Sequence, residues 1–117
     1  EKSSPSWFGF PISIKENSKF SKSDLIRFLE EEKIGTRNIF AGNILRQPAF
    51  INRDIFLRIR NSQLLSSKNI NEEHLNRIPN SDFVMNNTFW LGIWPKLTDK
   101  ELDYMVRKIE QFILVNS

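Results

Sequence analysis

The chain of 117 residues contains no cysteine, which excludes disulfides, a thiol nucleophile and thiolate metal sites within it. Its one histidine, His74, has no chemical partner nearby in the sequence, which is typical of a surface residue rather than a catalyst. No apolar run approaches the roughly 20 residues needed to cross a bilayer, and no secretory signal opens the chain. A composition of 39% hydrophobic and 26% charged residues indicates a soluble globular protein with one modest core.

The first six residues, EKSSPS, are typical of a linker, and there is no initiator methionine. We therefore expect residues 1–6 to be a linker and residues 7–117 to form a single domain cut from a longer protein.

Positive charge is concentrated in the middle of the chain, although the net charge of +3 is small. Residues 37–77 carry seven basic and three acidic side chains, and they hold six of the eight arginines but only one of the nine lysines. Arginine is favoured over lysine where contacts demand a fixed geometry. This section therefore indicates either an anion-binding site or salt bridges to a partner domain.

Two segments have the pattern of strands. Residues 7–14 alternate between an apolar and a mixed face, and Pro11 lacks a donor, so this strand should lie at a sheet edge. Residues 88–93 are dense in apolar and aromatic side chains and predict a central strand covered on both faces. The preceding residues 78–82 have the residue types of a turn, and Asn86 and Asn87 would stand at the start of the strand, either in turn contacts or reaching into a cleft.

The middle of the chain is less defined. Residues 54–60 alternate over too short a run to separate a strand from a helical segment. Residues 61–71 are rich in Ser and Asn and predict an exposed loop.

Two helices carry matching start signals. Ser21 with Asp24, and Thr98 with Glu101, have the spacing of a capping box, and apolar residues flank each cap. The first helix should end in a solvated Glu30-Glu31-Glu32 run and be broken by Gly35. The second places six apolar residues on one stripe: Leu102, Met105, Val106, Ile109, Phe112 and Ile113. Together these elements predict an α+β domain with helices over one face of a small, mainly antiparallel sheet.

The stretch richest in binding chemistry is GTRNIFAGNILRQP, residues 35–48. It combines two glycines with Arg37, Arg46 and two asparagines, including Asn43. Arginine offers a planar fork of donors to phosphate or carboxylate, and asparagine both donates and accepts. The stretch fits a loop that binds a small polar anion, and it equally fits a basic surface loop with two glycine turns.

Several motifs together resemble one family. They are SWFGFPI (6–12), GTR (35–37), FAGNILRQP (40–48), MNNTFWLG (85–92) and PKLT (95–98), and they span nearly the whole chain. They look like the C-terminal domain of the pyridoxal-phosphate-dependent sugar-nucleotide aminotransferase and dehydratase family. Within it they are most similar to the CDP-4-keto-6-deoxyglucose 3-dehydratases of lipopolysaccharide O-antigen synthesis. Residues 52–78 are longer than that branch's pattern.

The resemblance implies the small domain of a cytoplasmic fold-type I enzyme, typically a homodimer, whose missing large domain would hold PLP or PMP. Some members carry an iron–sulfur cluster on cysteines, which here would have to lie in the missing part. The chain itself would supply no catalytic residue and no metal ligand, and alone it should be inactive and hold no cofactor. Its expected role is to cap the site and contact a nucleotide sugar through Arg37, Asn43, Arg46, Asn87 and Trp90.

Two other readings stay open on the sequence. Within the family, a sugar-nucleotide aminotransferase is the rival to a dehydratase, and a lysine or histidine at the cofactor position would distinguish them. Outside it, the pI near 9.4 and the clustered arginines allow a nucleic-acid-binding module, although no nucleic-acid signature is present.

Overall fold

A three-stranded antiparallel sheet with helices forms the first of two units into which the chain divides. The computed structural model describes residues 4, 6–40, 42–52, 56–59, 63–66 and 78–117, with the backbone alone for 56–59 and 63–66. The first unit comprises Glu1–Ile39 and Asn87–Ser117, and the second comprises Phe40–Asn86. The strands are β1 (Gly9–Ser13), β2 (Thr36–Asn38), β3 (Phe56–Ile59), β4 (Gln63–Ser66) and β5 (Thr88–Gly92). The helices are α1 (Lys22–Glu31), α2 (Pro48–Ile51), α3 (Pro79–Asn87) and α4 (Asp99–Asn116), with a 3₁₀ turn at Ile44–Arg46.

In the first unit β5 is the central strand, since the sheet order is β1-β5-β2 with both pairings antiparallel. This confirms the predicted central strand and the predicted edge position of Pro11. The hydroxyl groups of Ser13 and Thr88, which face each other across the β1–β5 pairing, are hydrogen-bonded at 2.8 Å.

The core of the first unit lies between the sheet and helices α1 and α4. Phe89 and Leu91 of β5 are buried at 0% and 5% exposure, and they cluster with Leu25 and Leu29 of α1 and Phe112 of α4. Phe112 also contacts the rings of two neighbouring phenylalanines, Phe20 and Phe28. The predicted α4 stripe is only partly used, because Leu102, Val106 and Ile113 are exposed.

Both predicted capping boxes are present. The Ser21 hydroxyl accepts from the backbone N–H of Asp24 while the Asp24 carboxylate accepts from the backbone N–H of Ser21, and Thr98 and Glu101 repeat this pattern. Each box satisfies N–H groups that a helix start leaves without an intrahelical partner.

The predicted end of α1 within Glu30-Glu31-Glu32 is confirmed, since the helix ends at Glu31. The residue that breaks it is Lys33, which adopts the left-handed conformation (φ 64°), and not the predicted Gly35. The backbone N–H of Ile34 then bonds the carbonyl of Leu29 at 2.8 Å, the closing pattern of many helices. The acidic run is also not merely solvated, since Glu30 accepts hydrogen bonds from Thr36, and Glu32 accepts from Tyr104 and Lys108.

The second unit departs most from the predictions. Residues 78–82 are not a turn: the chain enters α3 at Pro79, and α3 includes Asn86 and Asn87. A proline at the first helical position is favourable because the missing N–H would have no intrahelical partner. Pro48 likewise opens α2 instead of ending a loop. Residues 56–59 form a strand paired with 63–66, so part of the predicted 61–71 loop is a hairpin strand.

The observed fold class is α+β, with a three-stranded antiparallel sheet, as predicted. Residues 36–38 of the predicted anion-binding loop are instead strand β2. His74 lies outside the described residues, and the linker boundary at residue 6 stays a prediction.

Replacement of Lys33 by glycine should stabilise the first unit, because a side chain at positive φ is strained and glycine is not. We expect Lys33→Gly to raise the free energy of unfolding by about 1 kcal/mol. The matched control is Lys19→Gly, at an exposed lysine outside the helices whose φ is not positive, which should slightly lower stability. Chemical denaturation measures both, and a loss of stability in Lys33→Gly would contradict the assignment.

Candidate functional site

The five predicted site residues fall into two sets. Arg37, Asn87 and Trp90 belong to the first unit, whereas Asn43 and Arg46 belong to the second. Each set is therefore described within its own unit.

In the first unit, Arg37 and Trp90 are direct partners across the β2–β5 pairing. Directly opposed side chains lie on one face of a sheet, close enough to touch the same bound molecule. Their neighbours Phe89 and Leu91 point to the core, so Arg37 and Trp90 lie on the sheet face opposite that core. The Phe8 ring meets the Trp90 ring edge-on, with centroids 5.2 Å apart and planes at 71°. A guanidinium beside paired aromatic rings is suited to an anion that carries a flat or apolar group.

The backbone on both sides of this pair is fixed by specific contacts. The Glu30 carboxylate accepts hydrogen bonds from the Thr36 N–H and hydroxyl at 2.6 and 2.7 Å, which ties the start of β2 to α1 next to Arg37. On β1, at the other edge of β5, a Cβ at Gly9 would lie only 3.2 Å from the Trp90 ring. Glycine at that position therefore lets the ring lie against β1.

Arg37 is exposed, and no described residue pairs with its guanidinium. Trp90 is half-buried. Asn87 is the last residue of α3 and belongs to the first unit, where its carbonyl accepts from the N–H of Ile14 at 2.9 Å. A contact of the Asn87 side chain with substrate stays a prediction.

In the second unit, Asn43 is fully buried, and both ends of its amide are used. Its oxygen accepts from the N–H of Leu45 at 2.9 Å, which caps the 3₁₀ turn, and its Nδ2 donates to Asp82 at 2.8 Å. A buried amide with satisfied hydrogen bonds holds its surroundings in place. The structure thus gives Asn43 a positioning role, and direct contact with a sugar stays a prediction.

Arg46 binds the same carboxylate. Its Nε donates to one oxygen of Asp82 at 2.7 Å and its Nη2 to the other at 2.9 Å, a two-pronged pairing of the kind that fixes orientation. The Arg46 guanidinium, and then the Asn43 amide, lower the pKa of Asp82 from its ordinary 3.8 to about 2. Asp82 is therefore a permanent anion at neutral pH and not a proton donor.

Asp82 is the site residue that the sequence analysis missed, because residues 78–82 were interpreted as a turn. The available signal was Pro79 followed three residues later by an acidic residue, a pattern typical of a helix start. The run Phe83, Val84 and Met85 concealed it, since three consecutive apolar residues do not follow a helical period.

Gly42 adopts φ 57°, and a Cβ there would overlap the side chain of Met85. Both the backbone and the close approach therefore require glycine, which accounts for one of the two glycines in the 35–48 stretch.

Within the described ranges, no group of three acidic or histidine side chains is arranged to hold a metal ion. In those same ranges, no helix combines the length and apolarity that a membrane span requires.

Truncation of Asn43 should destabilise the second unit, because Asn43→Ala leaves the Leu45 N–H without its acceptor and Asp82 without a donor. We expect a loss of about 1–3 kcal/mol in the free energy of unfolding. Asn80→Ala, at an exposed position in α3, should change it by less than about 0.5 kcal/mol. Equal effects of the two substitutions would contradict the buried role of Asn43.

The Asp82 carboxyl should titrate near pH 2 in carbon-detected NMR and return toward its ordinary pKa in Arg46→Met. Because the folded pKa is depressed, Asp82 contributes its stability above about pH 4, and this contribution is lost as pH falls toward 2. Arg27→Met, which removes an exposed partner of Asp24, serves as the control and should leave Asp82 unchanged. An Asp82 pKa that is the same with and without Arg46 would rule out the pairing.

Comparison with known proteins identifies relatives across the whole chain. The lipopolysaccharide biosynthesis protein RfbH of Salmonella typhimurium is 45% identical over 116 residues, which is 99% of this chain and 23% of that protein. The dTDP-4-dehydro-2,6-dideoxy-D-glucose 3-dehydratase of Saccharopolyspora spinosa is 39% identical over 115 residues, which is 98% of this chain and 21% of that enzyme. The chain thus spans about a fifth of the length of either relative.

The family model that matches covers residues 1–110, nearly the whole chain. Together with the identities above, this match confirms the resemblance found in the motifs. The chain belongs to the DegT/DnrJ/EryC1/StrS aminotransferase family.

Proposed function

We propose that this chain is the small, site-capping domain of a PLP- or PMP-dependent fold-type I enzyme. The proposed enzyme removes the 3-hydroxyl of a nucleotide-linked 4-keto-6-deoxy sugar, a cytoplasmic step of lipopolysaccharide O-antigen synthesis. The single observation that carries the role of this domain is the placement of Arg37 directly beside Trp90 on the face of the sheet opposite the core.

The names of the two relatives support the reaction. One is described as a lipopolysaccharide biosynthesis protein and the other as a 3-dehydratase of a nucleotide-linked deoxy sugar. Both align with nearly all of this chain but extend far beyond it. The large cofactor-binding part, and with it the chemistry, is therefore assigned to the rest of the protein.

The chemistry of the substrate explains why Arg37 is chosen over Arg46. A nucleotide sugar carries two phosphates, which a guanidinium binds through paired, charge-assisted hydrogen bonds. Arg37 is exposed and has no acceptor among the described side chains. By contrast, Nε and Nη2 of Arg46 already donate hydrogen bonds to Asp82. We therefore assign phosphate binding to Arg37, and to Arg46 and Asn43 the task of holding the second unit in shape.

Trp90 offers a complementary contact. Its half-buried ring, braced by Phe8, presents an apolar surface next to the charge of Arg37. We assign to it the contact with the flat or deoxygenated part of the substrate.

The described residues do not fit the cofactor itself. A concavity in the first unit includes Lys33 and Lys100, but both lysines are exposed. Its two carboxylates, Glu32 and Glu101, already accept hydrogen bonds from Tyr104 and Thr98, so neither is available to a pyridine nitrogen. We place the cofactor in the rest of the protein and derive no step through it.

Removal of the Arg37 guanidinium should weaken substrate binding by the whole protein. Hydrogen bonds to charged groups contribute roughly 1.5–3 kcal/mol, so Arg37→Ala should raise KM for the nucleotide sugar by about 10- to 100-fold. Arg37→Lys should recover part of this loss, because it keeps the charge but not the fork. Steady-state kinetics with a CDP- or dTDP-linked 4-keto-6-deoxy sugar measures both variants.

Arg27→Ala is the matched control, since Arg27 is an exposed arginine on α1 whose partner is Asp24, and it should leave KM unchanged. Dehydration with an unchanged KM in Arg37→Ala would remove Arg37 from the site but leave the reaction standing. A product that carries an amino group, formed without loss of the 3-hydroxyl, would identify the enzyme as the rival aminotransferase.

A further inference from the structure

The concavity of the first unit that contains Lys33 and Lys100 has a volume of about 670 Å³, and neither Arg37 nor Trp90 lines it. Three segments line it: the turn after α1, the residues that follow β5, and the first half of α4. Its walls are mainly apolar and include Ile34, Trp94, Leu97, Tyr104 and Met105. We call it the Trp94 hollow. Its size and lining match those of sites that bind small organic molecules.

Both carboxylates at the Trp94 hollow already accept hydrogen bonds, and the charge of Glu32 is also compensated by Lys108. Glu32 accepts from Lys108 Nζ at 2.9 Å and from the Tyr104 hydroxyl at 3.0 Å. Glu101 accepts from the N–H and the hydroxyl of Thr98, both at 2.8 Å. Neither carboxylate is left to attract a cationic ligand.

The positive charges are not compensated in this way. Lys33 and Lys100 line the hollow at exposed positions, and within the described part of the chain neither has an acidic partner. A third cation, Lys96, lies 5.9 Å from the centre of the Trp94 ring. Glu32 and Lys108 cancel, and the single charge of Glu101 is outweighed by three lysines, so the net charge around the apolar walls is positive.

Lys33 provides an independent pointer to function. It occupies the left-handed position that ends α1, where glycine is the usual residue and a side chain is strained. Strain retained at one position is a reason to look for a role of the side chain found there. The side chain in question contributes one of the two unpaired charges of the hollow.

We propose that the Trp94 hollow binds a small organic anion: a flat or apolar body seated against Trp94 and Tyr104, with a carboxylate or phosphate paired to Lys33 and Lys100. The proposal does not depend on the function proposed for Arg37 and Trp90, since neither of these residues lines the hollow.

Fluorine NMR of the whole protein labelled with 5-fluorotryptophan tests the site, with phenyl phosphate and benzoate as probes. The Trp94 signal is assigned from Trp94→Phe, and the Trp90 signal from Trp90→Phe. We expect both probes to move the Trp94 signal saturably while the Trp90 signal stays in place. Benzyl alcohol, which lacks the charge, and inorganic phosphate, which lacks the ring, should each bind at least about fivefold more weakly, since each forfeits one of the two kinds of contact.

A charge variant tests the role of the two lysines. The double substitution Lys33→Gln and Lys100→Gln should weaken phenyl phosphate at least about fivefold, since two charge-assisted contacts are lost. Lys19→Gln controls for general loss of positive charge and should have no effect.

Two results would overturn the proposal. They are a Trp94 signal that no probe moves, and equal affinity in wild type and the double glutamine variant. A Trp90 signal that moves alone would also refute it, and would leave the function proposed for Arg37 intact.

Discussion

The hydrogen bonding of β5 on both of its edges is the constraint on which the rest of the first unit depends. A central strand fixes its neighbours residue by residue, and antiparallel pairing sorts side chains strictly between two faces. Phe89 and Leu91 thereby enter the core, and Trp90 between them is turned to the opposite face beside Arg37. A slip of one residue in this pairing would bury Trp90 and expose Phe89, so the core that stabilises the unit also sets the geometry of the candidate site.

The second unit depends on a different kind of interaction. Its described part centres on the Asp82 carboxylate, which receives the Arg46 guanidinium and the buried Asn43 amide. A buried polar group is costly when it lacks partners, so a network that satisfies all of its members favours one arrangement of the loop. The FAGNILRQP motif can therefore be explained in part by folding: Gly42 permits the turn, Asn43 caps it and Arg46 anchors it.

Local signals in the sequence predicted the elements whose causes are local. Ser21 and Thr98 cap helices because a side-chain oxygen three residues before an acidic side chain satisfies the first N–H groups, wherever the helix lies. The central position of residues 88–93 followed from their density of apolar side chains. The edge position of Pro11 followed from its missing N–H. These predictions needed no knowledge of the rest of the chain.

Most of the wrong predictions concern contacts between residues far apart in the chain, which a local sequence pattern does not reveal. The pairing of Arg46 with Asp82 joins residues 36 positions apart, and the pairing of β2 with β5 joins Arg37 to a residue still further along the chain. Residue types alone predicted that Arg37 and Arg46 share one anion-binding loop, whereas in the structure they belong to different units. The end of α1 was predicted at the right place, but the residue that breaks it is Lys33 in the left-handed conformation and not the expected Gly35.

The most direct test of the account is a crystal structure of the whole protein with its cofactor and a nucleotide sugar bound. The account predicts that a phosphate oxygen lies within about 3.2 Å of the Arg37 guanidinium and that the Trp90 ring contacts the same ligand. It would be contradicted if the Arg37 guanidinium paired instead with a carboxylate from the rest of the protein while the nucleotide sugar lay elsewhere.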